Sequence, residues 1–108
     1  MKYIKNIRRL LKQLFSKGYD STNVNDFPEA IKNNMVYVVG EEKYEWVIVF
    51  KCPCGCKEDI QLNLLKEAKP KWSFKVTWKS RITINPSIRR TTGCRSHFDI
   101  RDGKVIWW

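Results

Sequence analysis

The 108-residue sequence has a single histidine, which excludes any chemistry that needs two imidazoles. The H-E-x-x-H helix of zinc peptidases is ruled out on that ground, and no deaminase signature is present. Long apolar runs are also missing; nothing approaches the roughly 20 residues of a membrane-spanning helix. The start, Met1-Lys2-Tyr3-Ile4-Lys5, breaks its apolar residues with charge, so a signal-peptide core is absent and a cytoplasmic location is expected. Acidic residues are scarce, 11 against 21 basic, giving a net charge of +10. Such a surplus suits an acidic partner, whether nucleic acid, an anionic membrane or an acidic protein surface, or simply keeps a small protein in solution. With 5 glycines, 4 prolines and no internal repeat, a linker or low-complexity chain is excluded, and 43% apolar residues are enough for one core.

Against these absences the 4 cysteines stand out, because three fall in Cys52-Pro53-Cys54-Gly55-Cys56 and the fourth in Cys94-Arg95-Ser96-His97. In a reducing compartment such clustering favours a metal over disulfides. Cysteines two residues apart are also badly placed to bridge each other. Thiolates on turns stiffened by Pro53, Gly55 and Gly93 suit a tetrahedral Zn2+ site joining two distant loops. Cys52, Cys54, Cys56, Cys94 and His97 are five candidates for four places. A three-cysteine, one-histidine site is the first expectation, and a four-cysteine site that frees His97 the second. Four protein ligands close the metal to water and make it structural; three would leave a catalytic position, with Glu58, Asp59 or Asp99 as nearby bases.

The periodicity predicts an α+β fold. Tyr3, Ile7, Leu10, Leu11, Leu14 and Phe15 make one stripe of a basic amphipathic helix over residues 2–17, set off as a separate segment, 1–18, from a zinc-binding domain over 19–108. Residues 19–26 read as a polar loop. Asp26, with Pro28 and Glu29, then resembles a capping box opening a short second helix that ends near Asn33-Asn34. After these N-terminal helices the pattern turns to strands. A mostly antiparallel β-sheet of six or seven strands, with a zinc-ribbon-like knuckle pair, is expected. Met35–Val39 and Tyr44–Lys51 form a hairpin whose second strand is apolar on both faces. Ile60, Leu62 and Leu64 mark a third strand. Trp72, Phe74, Val76 and Trp78 alternate with polar residues as a strand with one face in the core. Ile82 and Ile84 continue until Asn85-Pro86, residues 87–93 are a basic loop, and Phe98–Trp108 is a hairpin on Asp102-Gly103.

Chemistry beyond the metal centres on His97. Unligated, it suits a general base for Ser87 or Ser96. Ser96 and His97 are neighbours on one extended segment and point apart, so Ser87 is the better partner, with Asp99 placed to orient the ring. A groove of Lys69, Lys71, Trp72, Arg89, Arg90 and Arg95 would instead suit single-stranded nucleic acid, though the regular alternation of the tryptophans favours a core role. A non-enzymatic zinc module that recruits a protein or nucleic acid is the alternative reading.

From Phe50 onward the motifs Cys-Pro-Cys-Gly-Cys (52–56), Leu62-Asn63-Leu64, Pro70-x-Trp72, Asn85-Pro86-Ser87-Ile88 and Cys94-Arg95-Ser96-His97-Phe98 occur in order, before a closing strand that ends in tryptophan. Together they resemble a family of small bacterial proteins found in operons with ubiquitin-like proteins and ubiquitin-activating and ubiquitin-conjugating-like enzymes. The resemblance implies a zinc-binding, peptidase-like component that processes or removes a ubiquitin-like protein, with that protein and its conjugation enzymes as partners. It implies the five cysteine and histidine candidates as the metal constellation, with Ser87, Arg95 and Ser96 grouped beside them.

Overall fold

A computed structural model describes residues 18–108. The helix expected over 2–17 lies outside these residues. Among those described, the fold is a single mixed β-sheet, not α+β. Its eight strands are β1 (Asp20–Val24), β2 (Met35–Glu41), β3 (Tyr44–Lys51), β4 (Asp59–Asn63), β5 (Ser73–Thr77), β6 (Arg81–Arg89), β7 (His97–Arg101) and β8 (Lys104–Trp107). They run in the order β4-β3-β2-β1-β6-β7-β8, with β5 paired to β6. The only helical turn among the described residues is a 3-10 turn, Trp78–Ser80. No helix of the described residues is long and apolar enough to cross a membrane.

The second expected helix does not form. Asp26 Oδ1 accepts from the adjacent amide of Phe27 at 2.9 Å, a local turn, instead of capping an amide two or three residues on. The reason lies in topology. Residues 20–24, expected as loop, form a strand parallel to β2, with Asp20 beside Met35 and Val24 beside Val39. The ten residues left between must span a crossover, and so few leave no room for a stable helix. They lie instead as a strap whose Ile31 packs on Tyr37, Val39, Val47 and Val49. This cover explains why β2 and β3 are apolar on both faces. Their other face, with Val36, Val38, Ile48 and Phe50, joins Ile60, Leu62, Ile82, Ile84, Ile88, Phe98 and Ile100 in the main core.

The alternation in β5 marks a strand, but not a buried one. Trp72 and Phe74 pack against the core, whereas Val76 and Trp78 are 42% and 78% exposed. The turn of the β5–β6 hairpin lies beside β1, where Ser21 Oγ donates to Ser80 O at 3.0 Å, and the exposed Trp78 ring carries Lys79 Nζ 4.3 Å from its centroid. Asn85-Pro86 does not end β6. Pro86 sits in a register shift between Ile84 and Ile88, where a missing N–H costs no ladder bond, and the strand continues through Ser87 to Arg89.

The β7–β8 turn forms on Asp102-Gly103 as the sequence suggests. Gly103 also donates to Ile82 O at 2.7 Å and accepts from the Tyr19 amide, tying the start of β1 to β6. Its φ is +77°, and a Cβ there would overlap the Tyr19 carbonyl oxygen. Gly103→Ala is therefore expected to cost about 2–3 kcal/mol of stability, read as a lower urea midpoint at unchanged slope.

Candidate active site and cysteine centre

Two loops meet at one end of the sheet. The first leaves β3 at Lys51 and enters β4 at Asp59, closed by Cys52 N donating to Glu58 O at 2.9 Å. Gly55 takes a φ of +93° with open space around it, so backbone conformation alone calls for glycine there. The second joins β6 to β7 and is closed by Arg90 N donating to Ser96 O at 2.8 Å. Gly93, at φ +65°, lies against the Glu58 carboxylate of the first loop.

The loops bring Cys52, Cys54, Cys56 and Cys94 together, with all four sulfurs within 4.8 Å of one another. Cys52 Sγ is 3.4 Å from Cys54 Sγ and 3.6 Å from Cys94 Sγ. Ligands about 2.3 Å from a tetrahedral zinc stand about 3.8 Å apart, so the cluster fits that ion. The surroundings suit thiolates. Cys56 N donates to Cys54 Sγ at 3.4 Å. Arg90 Nη1 reaches Cys94 Sγ at 3.4 Å and Cys56 Sγ at 3.6 Å. Glu58 holds the other arm of that guanidinium at 2.5 Å and keeps it charged. The Ser96 hydroxyl lies 3.2 Å from Cys94 Sγ and, as the main cause, lowers that thiol to about 6, while burial pushes Cys52 up to about 12. Beneath the cluster Tyr19 donates its hydroxyl to Lys51 O; burial, then the Cys52 and Cys54 sulfurs, hold its phenol well above the usual range.

The structure places His97 with a serine and not among the sulfurs. Its Nε2 is 2.9 Å from Ser87 Oγ, and its ring stacks on Trp108 at 4.9 Å and 12° between planes. Strand pairing makes this contact. Ile88 opposite Phe98 and Arg89 opposite His97 put Ser87 and His97 diagonally on the face turned away from the core. Among the described residues, no carboxylate is hydrogen-bonded to the imidazole. Asp99 is buried but bonds Arg101 at 3.4 Å. Asp59 pairs with Lys51 at 2.8 Å, and Glu58 is taken by Arg90.

A serine hydroxyl 2.9 Å from an imidazole, on adjacent strands, is an arrangement of the kind that acyl-transfer chemistry uses. A family model described as the bacterial ubiquitination-like system serine protease (BubE) matches residues 23–108. The chain belongs to this family. The matched span holds all four cysteines, Ser87 and His97. No curated protein and no solved structure matches the chain.

Of the residues singled out in the sequence, the four cysteines converge, Ser87 meets His97, and Ser96 faces the sulfurs instead of the imidazole. Arg90 belongs to the cysteine centre and is not a free groove cation. The sequence signal for it was its place four residues before Cys94, which carries no meaning until the loop closes. The Trp108 stack on His97 had no signal at all. In metal-free protein at pH 7.5, alkylation by iodoacetamide is expected first at Cys94, a thiolate above about pH 6, and last at Cys52. Added Zn2+ should protect all four, as peptide mass mapping would show.

Proposed function

We propose that this serine protease-family chain cleaves a ubiquitin-like protein of a bacterial ubiquitination-like pathway, trimming its precursor or releasing it from targets, with Ser87 as nucleophile and His97 as general base. The observation that carries the reading is the 2.9 Å contact between Ser87 Oγ and His97 Nε2. Base action requires the tautomer with its proton on Nδ1, leaving Nε2 to accept from the serine hydroxyl. Ser87 Oγ then bonds to the carbonyl carbon of the substrate as its proton passes to Nε2. Collapse of the tetrahedral adduct breaks the C–N bond, and His97 returns that proton to the departing amine. Water, deprotonated by the same nitrogen, hydrolyses the acyl-serine and restores both residues.

The flat stack of Trp108 limits ring rotation from one side, a restraint of the kind a third, hydrogen-bonded member supplies elsewhere. Cys52, Cys54, Cys56 and Cys94 would hold Zn2+. With four thiolates the ion has no position for water, so it would supply cross-linking and not Lewis-acid catalysis. Its place in the reaction is mechanical: Cys94 and His97 lie three residues apart at the mouth of β7, so fixing one fixes the approach of the other. The conjugation enzymes of such a pathway are the expected partners, in a cytoplasmic setting.

Incubating the protein with a ubiquitin-like protein encoded beside its gene should give a shortened product by mass. Ser87→Ala and His97→Ala should each lower kcat by about a thousandfold or more at unchanged melting temperature, whereas Ser96→Ala should cleave at a rate within about tenfold of wild type. Full cleavage by Ser87→Ala would remove that residue from the mechanism. Cys94→Ser should lower both zinc content and melting temperature, with the metal measured by atomic emission.

A further inference from the structure

Ser87 lies on a stretch of β6 that has a partner on one edge only. The ladder from β5 ends where Ser73 meets Asn85, two residues short of Ser87. At Trp72 the chain leaves that edge, and its amide donates to Asn63 O at the end of β4 at 2.8 Å. On its other edge β6 stays paired to β7 as far as Arg89, and Arg90 N then donates to Ser96 O.

Backbone groups alternate between the two edges of an antiparallel strand. Arg90 faces β7, so Ile88 does too, opposite Phe98; Ser87 and Arg89 therefore turn their N–H and C=O groups the other way. The same alternation holds further back, where Gly103 N reaches Ile82 O on the β7 side while Asn85 meets Ser73 on the other. Among the described residues, no strand pairs with Ser87 or Arg89 on that edge. Trp72, at the corner where the chain departs, also keeps a buried indole N–H with no partner among the described residues.

We propose that this uncovered edge is the substrate-docking strand: an extended peptide carrying the bond to be cut adds beside β6 at Ser87–Arg89, exchanging backbone hydrogen bonds with both residues. An edge with two outward N–H and two outward C=O groups recognises main chain in extended form, which any peptide supplies once unfolded locally. Folded segments present no free backbone of that kind, so the edge selects tails and linkers over compact domains. A residue seated opposite Ser87 brings its carbonyl next to the hydroxyl that His97 activates. This rests on the reading of Ser87 and His97 as the catalytic pair, and adds to it how the substrate is held.

The test follows amide hydrogen exchange in Ser87→Ala, which retains the backbone and should hold substrate uncut, with the ubiquitin-like precursor in excess. Binding is expected to slow exchange at residues 87 and 89 by about tenfold or more, leaving Ile88, already bonded to Phe98, at its own rate. In wild type, peptides spanning the cleaved bond and N-methylated at one position each should lose about tenfold in kcat/KM at alternate positions only. Unchanged exchange at both amides, or methylation losses without a period of two, overturns the docking edge. Cleavage that survives Ser87→Ala would sink the catalytic reading itself, a different result from an inactive variant whose edge amides stay unprotected.

Discussion

The gathering of four sulfurs from two loops distant in sequence is the constraint on which the geometry of this end of the sheet depends. Four thiols this close repel one another once ionised, and burial opposes charge on Cys52 in particular. Holding them as thiolates calls for positive charge among them. Arg90 supplies part of it from one side, anchored by Glu58 on the opposite loop, and a dication at the centre would supply the rest. With an ion bound, the cluster would cross-link the β3–β4 and β6–β7 connections, which the sheet order otherwise keeps apart. A chain of this size has a modest core, and such a cross-link raises the cost of separating the sheet's two halves.

The serine and the histidine take their positions from strand register. Register fixes which side chains share a face; a slip of one residue would send Ser87 inward and replace it with a neighbour. The irregularity around Pro86 keeps Ile84 and Ile88 both facing the core while letting Ser87 meet His97 on the outer face. Core packing on one side of β6 thus protects a polar contact on the other. Ile88 and Phe98, both buried, are the pins that hold the outer pair in line.

Much of this was legible in the sequence, for identifiable reasons. Hairpins show themselves locally, so β2–β3 and β7–β8 could be read from alternation and from Asp102-Gly103. The cysteine centre was visible because thiols concentrated in two short stretches have few other uses. The choice of Ser87 over Ser96 followed from the alternation of side chains along a strand. What could not be read was long-range. The parallel pairing of β1 with β2 is set by a crossover, and residues 20–24 carry too little apolar pattern to announce a strand; the same crossover turned a capping-box sequence at Asp26 into a strap. Alternation told that β5 is extended but not that the far half of its apolar face, Val76 and Trp78, would find nothing among the described residues to cover it. The release of His97 from the metal set, open at the level of spacing, depended on where the strand pointed its ring.

Ser87, Cys94 and His97 all fall within one short stretch, on two strands and the loop joining them. The serine–histidine contact and one of the four sulfurs are thus nearly contiguous in the chain. Insertions within this loop are changes the protein can ill absorb, since lengthening it moves Cys94 and His97 at a stroke.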